Sequence, residues 1–175
     1  MLTDSIIHKP VTMDAYALHQ MVAGLTADCS DRPLFCDRGD TVVVRSVEQI
    51  ADGGGETSAV PAVAAGQIRC IELRASCFVS SGGKKYFIKP SDWKGRHDWL
   101  RKKGQRHGFE VLTVNCTSKP ARIQKKGGSF TLDCTDFTAT IKVTDADKFA
   151  DALKEGVGTK GRAFGFGMII PCLSA

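Results

Sequence analysis

The chain has 175 residues, 42% of them hydrophobic, which suits one large domain or two small packed ones and excludes wholesale disorder. The net charge of +5 is modest but uneven: residues 84–126 carry 13 Lys/Arg against Asp92, Asp98 and Glu110, leaving the remainder net acidic. No apolar run approaches the ~20 residues of a membrane helix, and Asp4 and His8 stand where a signal peptide would be apolar, so a cytoplasmic protein is expected.

In chain order, Leu2–His8 reads as a strand, followed by a helix capped at Thr12 and running to about Leu25. Leu18, Met21, Val22 and Leu25 form its core stripe. Leu34–Asp37 and Thr41–Val47 flank Arg38-Gly39-Asp40 as a hairpin. Ala51–Gly66 reads as a loop or weak helix, and Gln67–Val79 is β-rich. A second series starts with a short strand at Lys84–Lys89. A helix capped by Ser91 then runs to about Arg106 and is stopped by Gly108. Phe109–Cys116 is a strand, and Thr117–Ser129 a basic loop or hairpin tip. Phe137–Thr144 alternates apolar with polar residues, as a half-buried strand does. Asp145 caps a helix with Phe149, Ala152 and Leu153 on one side, and Ala163–Leu173 is the last strand. Both halves approximate β-α-β-β-α-β, so the expected fold is α+β with two tandem ferredoxin-like domains, residues 1–81 and 82–175. The division is placed at the turn residues Ser80-Ser81-Gly82-Gly83.

Seven scattered cysteines with no C-x-x-C pair argue against structural zinc and suit a reducing compartment. The one-signed charge of residues 84–126 points to a polyanionic partner, nucleic acid above all. Tyr16 and His19 lie three apart and share a helix face away from the core stripe. On spacing alone, a surface histidine is more often inert than catalytic. The segment Gly156-Val157-Gly158-Thr159-Lys160-Gly161-Arg162-Ala163-Phe164-Gly165-Phe166-Gly167 joins a helix to a strand. Its amides could face phosphate oxygens, or it could be a glycine-rich turn packed against the other domain. It is neither a P-loop nor a Rossmann fingerprint, since no G-K-[ST] opens a helix and a strand follows.

This segment resembles the C-terminal glycine-rich loop of the repeat-associated RNA-binding protein superfamily. Four stretches narrow the resemblance to the CasE-type endoribonucleases that cut CRISPR repeat transcripts. Asp14–Gln20 is similar to their catalytic helix, and Arg32-Pro33-Leu34-Phe35 to the start of their second strand. Glu72-Leu73-Arg74-Ala75 is similar to a strand with a central Leu-Arg-Ala, and Trp99–Gly104 with Gly108-Phe109 to a basic helix and its exit. The resemblance implies that His19 is the catalytic histidine, assisted by Tyr16. It also implies RNA contacts at Arg32, at Lys119, Arg122, Lys125 and Lys126 of a basic hairpin, and at Gly156, Gly158, Gly165 and Gly167 of the loop. The loop is one residue longer than the family pattern, so Lys160 and Arg162 both stand for its basic position.

The implied activity cuts a repeat stem-loop at the base of the stem without a metal or cofactor. The RNA 2′-hydroxyl is the nucleophile, and the products are a 2′,3′-cyclic phosphate and a 5′-hydroxyl. An imidazole can move the proton near neutrality and Lys or Arg can hold the phosphorane charge. The implied partners are CRISPR repeat RNA and other subunits of a CRISPR effector complex, with no membrane. The alternatives are a non-catalytic subunit holding processed guide RNA and a ferredoxin-like module binding an acidic metabolite.

Overall fold

The computed structural model describes residues 1–48, 50, 55–125 and 127–172. Strand β1 (Thr3–His8) leads into helix α1 (Ala15–Leu25), and β2 (Leu34–Asp37) and β3 (Thr41–Ser46) form the expected hairpin. The cap of α1 is Asp14 rather than Thr12, its carboxylate accepting the Tyr16 and Ala17 amides at 2.8 Å. A cap must stand directly before the first helical residue, and Thr12 sits inside a turn closed by the Met13 amide on the Pro10 carbonyl. Strand β4 (Thr57–Ala59) lies within the stretch expected to be loop or weak helix, of which residues 51–54 fall outside the described residues. The four strands form an antiparallel sheet in the order β2-β3-β1-β4. Leu18 and Val22 of α1 pack on its Ile7, Phe35, Val42 and Val44.

The second sheet, β10-β5-β9-β8, is also antiparallel. It comprises β5 (Ile68–Ala75), β8 (Phe109–Lys125), β9 (Gly128–Val143) and β10 (Ile169–Pro171). Helices α2 (Trp93–Arg106) and α3 (Ala146–Glu155) cover one face of it. Their contacts include Trp99 stacked parallel to Phe137 and Phe109 edge-on to Phe149. The cap of α2 is Asp92, one residue beyond the expected Ser91. Each large apolar side chain fully buried in such a core contributes about 1.5–3 kcal/mol. No helix among the described residues is long and apolar enough to cross a membrane.

The sequence places the change of sheet about fifteen residues too late. Residues 67–79 read as one strand closing the first half, yet β5 pairs with β9 and β10. Among the described residues, strands β6 (Phe78–Ser81) and β7 (Lys84–Phe87) pair only with each other, and Gly82-Gly83 is their turn. The expected division at residue 82 therefore falls inside a hairpin, whereas the sheets change between β4 and β5. The strand run breaks at Cys77, whose amide donates to Asp133 of β9 rather than into a ladder.

Two buried arginines hold the assembly. Arg45 on β3 pairs with both oxygens of Asp4 at 2.7 Å and also donates to the Leu153 and Ile169 carbonyls. One fully buried guanidinium thus clamps the first sheet to the end of α3 and to β10. Arg96 on α2 bonds both oxygens of Asp133 and the Ile88 carbonyl. Burial would raise the Asp133 carboxyl, but Arg96, the Cys77 amide and Thr135 outweigh it and hold its pKa below the ordinary value. A depressed folded pKa means the contribution to stability is complete above the unfolded carboxyl value of ~3.9 and is lost as pH falls through the folded one. Urea midpoints should decline on acidification through that window, and the decline should be shallower in Arg96→Met/Asp133→Leu. An unchanged slope in the double variant would assign the acid sensitivity to other carboxyls.

Candidate functional site

Helix α1 presents His19 half-buried, its imidazole centroid 5.9 Å from the Phe164 ring. His19 lines a cleft of about 230 Å³ together with Arg32, Arg162, Pro33 and Phe35. The cleft brings together the histidine of α1, an exposed cation just before β2 and a cation of the glycine-rich loop. Tyr16 is also half-buried but does not line this cleft. Among the described residues, no group of three or more His, Cys, Asp or Glu is placed to hold a metal ion.

The glycine-rich loop is seated from both ends. The Val157 amide donates to the Gly167 carbonyl at 2.7 Å, and the Gly167 amide to the Arg74 carbonyl of β5 at 2.7 Å. Residues 162–164, expected to begin the last strand, form a 3-10 turn, and β10 starts only at Ile169. Gly165 and Gly167, with φ of 81° and 93°, cannot continue a strand ladder. Gly165 is buried, and a Cβ there would meet the Phe35 ring at 3.1 Å. Gly156 and Gly167 are buried as well. Gly158, Thr159, Lys160 and Gly161 lie on the outer part of the loop, and Lys160 is exposed. Arg162 is half-buried, donating to the Gly158 and Gly156 carbonyls at 2.8 and 3.2 Å. Those two bonds orient the guanidinium and leave further N–H groups for the cleft. Of the two basic candidates, Arg162 lines the cleft of His19 and Lys160 is exposed on the outer part of the loop. Gly165→Val is expected to lower the melting temperature by several degrees, since a left-handed residue with a β-carbon costs ~1–2 kcal/mol before any clash. Thermal melts check this, and an unchanged melting temperature would refute the packing role.

Of the two readings of residues 117–129, basic loop or hairpin tip, the strand pairing supports the hairpin, as part of a long two-stranded arm. β8 and β9 stay paired to Lys125↔Gly128, while β5 covers β9 only over residues 135–142. One face of the arm carries Ile123, Leu132 and Cys134, packed with Phe166, Phe164 and Ala15 of α1. This contact places the arm beside the His19 cleft. Lys119 and Arg122 are both exposed but lie on opposite faces, because Lys119 is opposite Cys134 and Arg122 opposite Thr131. The side chain of Lys125, and Lys126 altogether, lie outside the described residues.

Sequence reasoning did not place Lys103, Arg106 and His107 at this site. A β-carbon added at Gly158 would meet the Trp99 ring of α2 at 3.6 Å, and Lys103 lies over that ring. Burial lowers the pKa values of Lys103 and His107, and Arg106 and Arg162 lower both further. The charge run Arg101–His107 was legible, but its adjacency to the loop was not.

A protein-family model described as "CRISPR associated protein" matches residues 4–170. No curated protein sequence matches significantly. Among solved structures, the fold is similar to Thermus thermophilus Cse3 bound to an RNA representing a pre-cleavage complex, with a TM-score of 0.81, 17% identity, and 98% of each chain covered. It is similar to Cas6e from Escherichia coli K-12, with a TM-score of 0.78, 19% identity and 98% of each chain covered. A chain of E. coli Cascade bound to a PAM-containing double-stranded DNA target gives 0.64, 19% identity and 96% of each.

Proposed function

The chain belongs to the CRISPR-associated protein family whose model spans residues 4–170, and on that premise we propose that it is an endoribonuclease that binds CRISPR repeat stem-loops and cuts at the base of the stem. The observation that carries this reading is the single cleft that joins His19 to Arg32 and Arg162 beside a basic arm. In the proposed reaction the 2′-hydroxyl oxygen attacks the adjacent phosphorus and the bond to the 5′-oxygen breaks. One proton leaves the 2′-hydroxyl and one reaches the 5′-oxygen, giving a 2′,3′-cyclic phosphate and a 5′-hydroxyl. His19 transfers one of these protons, while Arg162 and Arg32 stabilise the phosphorane charge. Tyr16, one turn earlier on α1, assists His19 by orienting it or the RNA strand.

The two strand orders, β4-β1-β3-β2 and β10-β5-β9-β8 read with their helices, support two tandem ferredoxin-like units. We place this protein in the cytoplasm as a subunit of a CRISPR effector complex, supported by its fold likeness to a chain of Cascade.

Incubation with a repeat stem-loop tests the reading: one cut with a cyclic-phosphate end, undiminished by excess EDTA, is expected. Tight binding without a cut would instead mark a non-catalytic guide-holding subunit. The phosphate contacts are tested by Lys119→Ala/Arg122→Ala. If both cations touch phosphates, the slope of log K against log salt should flatten by roughly 0.7–0.9 per lost contact. An unchanged slope would take the arm out of the interface. Lys125→Ala/Lys126→Ala extends the same test to the tip.

A further inference from the structure

The β6–β7 hairpin stands apart from both sheets and leaves a groove of about 840 Å³ against α2. Phe78 and Phe87, with ring centroids 4.1 Å apart, line its hairpin wall. Phe87 is 47% exposed, high for a phenylalanine in a folded chain. Lys89 follows it, and Lys102, Lys103 and Arg106 line the α2 wall. Among the described residues, no carboxylate lies within 4.0 Å of any of these four cations. The two acidic residues lining the groove are already engaged. Asp92 caps α2 through the Gly95 amide, and Asp98 pairs with Lys94 and Arg101. The groove is therefore aromatic and positive.

It also leads to the cleft. Lys103 sits over Trp99, the Trp99 ring is 3.6 Å from where a Gly158 β-carbon would stand, and the Gly158 carbonyl accepts from Arg162, which lines the cleft of His19. The arm reaches the cleft by a different route, through Ala15 and Phe164. A duplex keeps its base faces stacked inside and cannot use an exposed ring, whereas a single strand offers them. We propose that the groove between the β6–β7 hairpin and α2 binds a single-stranded RNA segment continuous with the strand in the His19 cleft. A base stacks on Phe87 and the backbone follows Lys89, Lys102 and Arg106.

The inference rests on the proposed RNA substrate and is tested so that the two can fail separately. The full chain is titrated with two RNAs carrying a 2′-deoxy residue before the scissile phosphate. One is a bare repeat stem-loop and the other adds about eight single-stranded nucleotides on either side. Wild type should bind the flanked RNA about 5- to 100-fold more tightly, the range expected for one stacked base with its backbone contacts. Phe87→Leu, which keeps the apolar bulk, should lose most of that gain while binding the bare stem-loop as wild type does, and Phe87→Trp should restore it. Lys89→Ala/Lys102→Ala, at two exposed positions, provides a second variant that leaves the Phe78–Phe87 contact intact and should lower the gain and its salt dependence. Equal affinity for the two RNAs in wild type, or a gain that persists in both variants, overturns the groove as an RNA track. If a protein subunit binds instead and is lost in Phe87→Leu, the groove is a protein interface and the proposal fails. No binding of either RNA would overturn the proposed function, and this inference with it.

Discussion

Replacing His19 by alanine is expected to slow cleavage of a repeat stem-loop by about 10²–10⁴-fold, the range for losing a positioned proton-transfer group. His19 is the histidine lining the cleft that also holds Arg32 and Arg162. Its ring is set against Phe164 of the loop, so its direction is fixed by packing between two elements rather than by α1 alone. Binding should change little, because the phosphate attraction comes from permanent cations nearby. A 2′-deoxy residue before the scissile phosphate should abolish cleavage in wild type while preserving binding, since it removes the nucleophile itself. Single-turnover rates and binding titrations on the same RNAs separate the two effects. Full activity in His19→Ala, or cleavage of the deoxy RNA, would mean that water or another residue does the work.

Asp133→Ala is expected to destabilise the fold by about 3–5 kcal/mol, because it leaves the Arg96 guanidinium buried without its counter-charge. For a chain of this length that corresponds to roughly 6–20 °C in melting temperature. The Arg96 and Asp133 side chains are 0% and 6% exposed. Asp133 additionally accepts the Cys77 amide and the Ser118 hydroxyl, so its loss unties α2, β9 and the root of the β6–β7 hairpin together. Arg96→Met/Asp133→Leu should recover much of the loss, because it removes both charges and fills the space. Denaturant titrations of the two variants decide the matter. Equal destabilisation in both would show that shape, not the unpaired charge, dominates.

The helices and most strands were legible because each carries its own local signal. Alternation marks Phe137–Val143, Asp145 caps α3, and the Arg38-Gly39-Asp40 turn announces the β2–β3 hairpin. Strand ownership was not legible. Nothing in residues 68–75 says whether they pair with β1 or with β9, since a strand's ladder partners lie far away in sequence. The glycines at 82 and 83 are the same turn signal whether they separate domains or close a hairpin. The length of the β8–β9 arm was hidden for a related reason. Its apolar residues change faces, with Phe137 and Ala139 toward α2 and α3 and Leu132 and Cys134 toward α1, so no single alternation runs through it.

The α+β class, the position of His19 off the core stripe of α1, the basic character of residues 84–126 and the glycine-rich loop before the last strand are all readable from neighbouring residues. Spacing on a helix, charge and left-handed turns are properties of neighbouring residues, so they survive without a fold. Folding is what braces Arg162 in the cleft of His19 while Lys160 stays exposed, and what leaves little room for a β-carbon at Gly165 beside the Phe35 ring. Each of those depends on which surfaces two distant segments bury against one another. The buried Arg45 joins β3 to α3 and β10, and Leu34 and Cys36 pack on Met168, so the two halves meet through a buried guanidinium and an apolar contact together.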